Sequence, residues 1–492
     1  MKHGFIRVAA ATPDVKVADP QFNRTEICAL IRAGIVRKAK LMVFPELSLT
    51  AYTCGDLFGQ DALLSGARRE LKEILKETEG SDLLAFIGMP WERGGKLYNA
   101  AVAVQNGRIL GVVPKTNLPN YAEFYERRYF EPGNEIPVMV SWEGQRFPMG
   151  TNILFACEEM PGLIVAAEIC EDAWVPCPPS IRHTAAGATV IVNCSASDET
   201  TGKDIYRRSL ITGHSASLVC GYVYANAGDG ESTQDLVFGG QNLITENGTC
   251  LAESKRFAND TIFADLDLER LNNERRRLST YPVRDDSAYF TVGFHITEEE
   301  YDLERPIDPM PFVPTDEGQR NRRCEEILSI QAMGLKKRLS HTGCSHAVLG
   351  ISGVLHSILV LIDLRLGVLD PESHRERLRF HKDLHPIKLR EQVSRTVSYG
   401  QDHMICLNHS AICSHHAGDS SILFQNFRDF RPEMHLSAAG DDPVSYIFNH
   451  TPQHICSDMW GMVVKDRRIG SHLHKRGENF PVSSRGILYQ CI

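Results

Sequence analysis

A series of short, almost wholly apolar runs constrains this chain more than any other feature. They are Phe5–Ala11, Lys40–Phe44, Leu83–Gly88, Leu163–Ile169, Thr189–Asn193 and Tyr222–Ala225. Each is too short for a buried helix and rich enough in Val, Ile, Phe and Tyr to read as a buried strand. Longer segments between them carry helical periodicity: Asn23–Ala39, opened by Asn23 or Thr25, then Ala62–Thr78, Pro179–Gly187 and Arg207–Val219. Tyr98–Val104 and Arg108–Val113 alternate about Asn106-Gly107, and Asn247-Gly248 marks a second two-residue hairpin. Thr261–Leu266 is read as the strand that closes the series. Strands with interspersed helices and hairpins predict an α/β sandwich with mixed sheets rather than a simple parallel fold.

Three of these apolar runs end on chemically capable residues. Lys40–Phe44 runs into Pro45-Glu46, Arg108–Val113 into Pro114-Lys115, and Leu163–Ile169 directly into Cys170-Glu171-Asp172. Taken singly, each residue is ordinary: a buried cysteine is usually inert, and a strand-end Glu or Lys is usually solvated. Together they suit attack on a carbon–nitrogen bond. If the three strands lie side by side with one sense, Glu46, Lys115 and Cys170 reach one rim. A carboxylate takes the thiol's proton and later gives it to the departing amine, while an ammonium stabilises the oxyanion between. Water then releases the acyl group from its thioester.

The chain has 492 residues, enough for two or three domains. Its net charge of −9 argues against nonspecific binding to nucleic acid or anionic membrane. Fourteen cysteines are scattered without a CxxC pair, so neither a disulfide framework nor a zinc ribbon is expected. The first residues lack the apolar core of a signal peptide, and no apolar run is long enough to span a bilayer. A cytoplasmic protein is the expectation. Leu303–Gly318 is proline-rich and acidic and reads as a linker. It is followed by an amphipathic helix over Gln319–Leu339 and a short strand over Ala347–Ile351.

Phe44-Pro-Glu46-Leu-Ser-Leu-Thr-Ala-Tyr52, Pro114-Lys115-Thr-Asn-Leu-Pro-Asn-Tyr121 and Glu168-Ile-Cys170-Glu-Asp-Ala-Trp174 resemble the signature segments of the nitrilase, or carbon–nitrogen hydrolase, superfamily. Glu123-Phe-Tyr-Glu-Arg-Arg-Tyr-Phe130 and Gly228-Asp-Gly-Glu-Ser-Thr-Gln-Asp-Leu-Val-Phe238 are similar, more closely, to the glutaminase domain of glutamine-dependent NAD synthetases. The resemblance extends from residue 3 to about residue 350. It implies an α/β fold: a nitrilase-like four-layer α-β-β-α sandwich over residues 1–297, a linker over 298–318, and a smaller, diverged, shortened ATP-pyrophosphatase-like α/β domain over 319–492. It implies Glu46 as general base, Lys115 as oxyanion stabiliser and Cys170 as nucleophile on glutamine, with no cofactor and no metal in that step. Tyr121, Ser197 and Lys203 fall at substrate-binding positions. Arginine is expected in some relatives where Lys203 stands, and the lysine keeps the charge without the bidentate fork. His214 and Ser217 stand where glutamine and arginine are expected. A large homo-oligomer with an ammonia channel is implied as well.

The second domain of that family makes NAD from nicotinic acid adenine dinucleotide, ATP and ammonia. Its pyrophosphate loop reads Ser-Gly-Gly-x-Asp-Ser, with glycine amides cradling phosphate and the aspartate holding Mg2+. Here the corresponding residues are Ser352-Gly353-Val354-Leu355-His356-Ser357. Ser352, Gly353 and Ser357 keep the ATP-binding pattern. Val354 adds a β-branched side chain where the backbone must approach phosphate, and His356 is a poor Mg2+ ligand. Most of the nineteen histidines lie beyond residue 350, where periodicity is short and broken. Impaired synthetase chemistry is the expectation, with the tail as scaffold, interface or residual ligand site. A metal site at Cys406, His409, Cys413, His415 and His416 is a rival reading that fits no zinc spacing. Two other readings stay open: an amidase of nitrilase type acting on another small amide, and a non-catalytic assembly subunit.

Overall fold

The computed structural model describes residues 4–233, 235–307, 312–343 and 346–350, together with short strands within 404–447 and at 487–489. The chain divides into two compact units, Met1–Ile307 and Asp308–Ile492.

In the first unit, strand β1 (Phe5–Ala11) pairs in parallel with β2 (Leu41–Val43), and β2 with β3 (Leu84–Arg93). The meander β3, β4 (Lys96–Gln105) and β5 (Arg108–Pro114) follows, with Asn106 and Gly107 both at positive φ in the turn between β4 and β5. Positive φ at both positions is what an Asn-Gly hairpin turn demands. A hairpin of β6 (Val138–Trp142) and β7 (Gln145–Met149) closes one edge of this sheet, and β14 (Thr261–Asp267) closes the other, giving the order β14-β1-β2-β3-β4-β5-β7-β6. The second sheet contains β8 (Ile153–Cys157), β9 (Ile164–Ile169), β10 (Val190–Ser195), β11 (Gly221–Asn226), β12 (Leu243–Glu246), β13 (Thr249–Glu253) and β15 (Phe290–Phe294). Its order is β13-β12-β11-β10-β9-β8-β15.

The two sheets bury a common core. Val8, Val43, Phe86, Ala101 and Val113 of the first meet Phe155, Val165, Ile169, Val192 and Val223 of the second. Phe86 and Phe155 pack edge to face with centroids 5.3 Å apart. The outer face of the first sheet is covered by α1 (Pro20–Val36) and α2 (Asp61–Glu77), through Ile27, Ile31, Leu71 and Ile74 on Met42 and Ile87. The outer face of the second carries α3 (Pro179–Ala185) and α4 (Lys203–Ser217), with Ile211 packed on Ile191 and Tyr222. This four-layer α-β-β-α sandwich explains the unbroken apolar runs: strands covered on both faces have no polar side to alternate with.

Several boundaries differ from the sequence reading. Helix α1 begins three residues before Asn23, with Pro20 at its first position and the Asp19 side chain accepting from Phe22 N at 3.0 Å. Asn23 is instead buried on the helix flank, accepting from Lys16 N at 2.7 Å. Helix α4 opens at Lys203, and the strands do not end at Leu266: α5 (Leu268–Arg277) and β15 follow.

In the second unit, α6 (Glu317–Thr342) is capped by Asp316, which accepts from Gln319 N at 2.7 Å, and ends on Gly343 at positive φ. Strand β16 (His346–Gly350) lies between β17 (Met404–Asn408) and β22 (Ile487–Tyr489), and β18 (Ala411–Ser414) extends the sheet. A second sheet contains β19 (Ser420–Ile422), β20 (Glu433–Ala438) and β21 (Pro443–Ile447). Ser352, Gly353, Val354, His356, Ser357, His409, His415 and His416 lie outside the described residues, while Cys406 and Cys413 are register partners across β17 and β18. No helix among the described residues is long and apolar enough to cross a membrane.

Candidate active site

Glu46, Lys115 and Cys170 converge, but not from neighbouring strands. β2 and β5 belong to the first sheet and are separated by β3 and β4, whereas β9 belongs to the second. The rim is a seam between two sheets, formed because each strand ends at the same end of the sandwich.

Each element places its residue for a local reason. The turn after β2 runs close over Gly88 of β3, where a Cβ would stand 2.1 Å from Pro45 O and 2.4 Å from Leu47 N. Only glycine allows that approach. The turn also holds Leu47 and Ala51 at positive φ. Ala196 N donates to Glu46 Oε2 at 3.0 Å, which fixes the carboxylate from the second sheet. Lys115 is anchored by its own N–H to Asn99 O at 2.8 Å. Cys170 opens a single 3-10 turn over Cys170–Ala173 and sits at φ 42°, a strained value for a residue with a side chain. Its N–H donates to Asn193 Oδ1 at 2.9 Å. Asp172 joins the two walls, accepting from Ile169 N at 3.0 Å and from Asn117 N at 2.8 Å.

The charge arrangement has a fourth member that the sequence reading did not assign. Lys115 Nζ contacts Glu46 Oε1 at 2.7 Å and Glu126 Oε1 at 2.5 Å, and all three side chains are buried. Asn99 Nδ2 spans the two carboxylates, at 2.6 Å from Glu46 and 3.3 Å from Glu126, and Tyr52 donates its hydroxyl to Glu126 at 2.9 Å. Burial pushes the Glu126 carboxyl up to about 7, against the pull of Lys115. Burial works against the Lys115 charge, but Glu126 and Glu46 outweigh it and hold the ammonium well above its usual pKa. Burial raises the Cys170 thiol, Glu46 adds to the rise, and Lys115 and the Ser195 hydroxyl pull against it. The resting thiol is therefore protonated, and attack requires a base.

The expected substrate-binding residues are placed around this centre. Tyr121 is largely exposed and donates its hydroxyl to Glu171 Oε1 at 2.8 Å, next to Cys170. Glu171 itself is raised by burial. Ser197 is buried, its Oγ accepting from Arg207 at 3.2 Å. Lys203 opens α4, pairs with Asp198 and lies 5.4 Å from the Trp174 ring centroid. His214, one of the departures from the expected pattern, contacts Ala173 O at 2.8 Å through Nε2, and so supports the turn that carries Cys170. The signal that points to Glu126 is its place in the Glu123–Phe130 segment; nothing in its spacing does so. No group of three metal-ligating side chains is found among the described residues.

A family model described as carbon-nitrogen hydrolase matches residues 7–276. The chain is 40% identical over 376 residues to the glutamine-dependent NAD(+) synthetase of Mycobacterium tuberculosis, covering 73% of this chain and 55% of that protein. It is 29% identical over 367 residues to the enzyme of that name from Thermotoga maritima, covering 73% and 57% respectively. The chain thus spans about half the length of the curated relatives it matches. Among solved structures, a glutamine-dependent NAD(+) synthetase from Cytophaga hutchinsonii gives a TM-score of 0.48 at 28% identity, covering 53% of this chain and 43% of that one. The family match takes in more than half of the sequence, with Glu46, Lys115 and Cys170 all inside it, and the chain belongs to the carbon-nitrogen hydrolase family.

Proposed function

We propose that the first unit hydrolyses glutamine to glutamate and ammonia through a thioester on Cys170. The observation that carries this reading is the Lys115 ammonium held between two buried carboxylates beside a strained, protonated thiol. As Cys170 Sγ bonds to the amide carbon, its proton passes to Glu46 and the carbonyl electron pair moves onto oxygen. Lys115 has three N–H donors and two carboxylates on it, which leaves one donor for that oxyanion. Collapse breaks the C–N bond, and Glu46 returns the proton to the departing ammonia. Water then attacks the thioester, Glu46 taking its proton and restoring it to the thiolate. No cofactor is needed in any of these steps. Glu171 and Lys203, with Tyr121 and Ser197, supply opposite charges and neutral hydrogen-bonding groups for the zwitterionic end of an amino acid.

The second part of the reading is that the ammonia belongs to ATP-dependent amidation of nicotinic acid adenine dinucleotide to NAD, in a homo-oligomeric assembly; the names of the curated relatives, glutamine-dependent NAD(+) synthetases, support the link from glutamine to NAD. In this chain Val354 and His356 replace the glycine and aspartate that ATP and Mg2+ require, so that step is impaired. Two assays on one preparation test both parts. Ammonia release from glutamine, with strong preference over other primary amides, is expected of the wild type and not of Cys170→Ala. NAD formation from nicotinic acid adenine dinucleotide, ATP and free ammonium is expected to be near background. Ammonia release that survives Cys170→Ala overturns the first part, and brisk NAD formation overturns the second.

A further inference from the structure

The Gly228–Phe238 segment marks the resemblance to glutaminase domains, yet none of its residues enters the chemistry above. Its contacts are specific. Glu231 accepts from Tyr52 N at 2.7 Å through Oε1, and from Thr53 N at 3.0 Å and Thr53 Oγ1 at 2.6 Å through Oε2. Ser232 N donates in turn to Thr53 Oγ1 at 2.8 Å. The Tyr52 ring meets Phe238 edge to face at 5.9 Å. At its other end the segment pairs with the opposite wall, through an isolated bridge between Asp198 and Phe238 and from Glu199 N to Val237 O at 2.7 Å. Gly230 makes the turn possible, since a Cβ there would stand 2.1 Å from Val15 O.

Tyr52 is the link to the chemistry. Its hydroxyl donates to Glu126 Oε1, the same oxygen that contacts Lys115. The turn that carries Tyr52 starts at Glu46 and contains Leu47 and Ala51 at positive φ, so it needs anchoring from outside to hold its shape. Three hydrogen bonds from the Tyr52-Thr53 pair to one carboxylate provide that anchor. We infer that Glu231 is a positioning residue: by clamping the Tyr52–Thr53 backbone it holds the Tyr52 hydroxyl on Glu126, and so couples the seating of the 228–238 segment to the acid–base set. This rests on the reading of Glu46, Lys115 and Cys170 as hydrolytic machinery. The titratable groups facing Glu126 are Lys115, Glu46, Tyr52, Cys170 and Glu171.

The test is a double-mutant cycle with Tyr52→Phe, Glu231→Gln and the double variant, with Thr53→Val as a milder cut that removes the hydroxyl contacts to Glu231 and Ser232 but keeps both backbone donors on the carboxylate. Glutamine hydrolysis and the rate of Cys170 alkylation by iodoacetamide are both followed against pH. Loss of a hydrogen bond to a charged group is worth roughly 10-fold, so each single variant should lose roughly 10-fold in kcat with KM little changed. The acid limb should move to higher pH in each, because the Tyr52 hydroxyl favours the ionised form of Glu126. The double variant should lose no more than either single one, and Thr53→Val should give a smaller shift of the same sign. Additive losses with an unmoved acid limb overturn the inference, since a merely structural Glu231 behaves that way. If the wild type releases no ammonia from glutamine, the functional reading fails, and the alkylation cycle still decides the coupling.

Discussion

Lys115 and Glu126 illustrate how a site of single residues depends on contacts that the chain order hides. Glu46, Lys115 and Cys170 are legible because each lies at or within three residues of the end of an apolar strand, and a strand end faces the rim. Glu126 lies on the 3-10 turn Glu126–Arg128, amid other charged residues, and becomes special only through Asn99, Tyr52 and Lys115, which reach it in space. Its chemistry gives a direct prediction. Below about 7 the Glu126 carboxyl takes a proton, and Lys115 is left neutralised by Glu46 alone. Lys115 is then drawn onto the carboxylate that must face the thiol, so kcat/KM should fall on the acid side with an apparent pKa near 7. Glu126→Gln removes the titrating group. Its pH–rate profile should lose that limb, and its rate at the optimum should drop roughly 100-fold, the scale of a misplaced acid–base partner. A variant that keeps the limb near 7 would show that another group carries it.

At the scale of elements, the fold is legible in the sequence where one physical signal dominates. The apolar run Phe5–Ala11 coincides with β1 at both ends, and both Asn-Gly turns form hairpins because φ is positive at each position. Elements whose signal is weak or shared are not. β6 alternates between partly buried and exposed residues at a sheet edge, and α5 buries only Leu268 and Leu271 in a highly charged decapeptide. Helix α1 starts at Pro20 rather than at Asn23 because Asp19-Pro20 is a better cap and first residue than Asn23, whose side chain is engaged elsewhere. The seam between sheets was beyond reach, since strand order is set by packing across the whole sandwich. Gly88 is where element packing and site geometry meet. Gly88→Ala would place a methyl group against Pro45 O and Leu47 N, backbone atoms that cannot rotate away. We expect a loss of about 3 kcal/mol in unfolding free energy, read by denaturant titration, and a disproportionate fall in kcat as Glu46 is displaced. A stability loss with unchanged kcat would show that the turn can shift without moving the carboxylate.

For the whole chain, the decisive stretch is the one that reads as a linker, because its first residues are fastened down. Glu299 pairs with Lys40 at 2.7 Å and Lys38 at 3.1 Å, and Glu304 with Arg37 at 2.6 Å. Glu304 N donates to Asp265 Oδ2 at 2.7 Å, Arg7 Nη2 to Asp302 O at 2.8 Å, and Arg7 lies over the Tyr301 ring at 4.6 Å. Acidic composition here serves to bind the basic connection between α1 and β2, Arg37, Lys38 and Lys40. These contacts are unequal in worth. Arg305 makes a two-pronged pair with Glu246 at 2.7 and 2.8 Å, and Glu246 is only 2% exposed. Removing Arg305 takes the counter-charge from a buried carboxylate and leaves it the Asp267 N–H, at a cost of about 3 kcal/mol. The pair between Glu304 and Arg37 is open to water on both sides and contributes less than about 1 kcal/mol. Arg305→Ala should therefore lower the thermal midpoint of the first unit by roughly 5 °C, while Glu304→Ala shifts it only slightly. Arg305→Lys, with charge but no fork, should fall between them. Ammonia release at low temperature should be unchanged in all three, since none of these side chains touches the site. Equal shifts for Arg305→Ala and Glu304→Ala would mean that net charge along the strap, rather than the buried Glu246 pair, holds it in place.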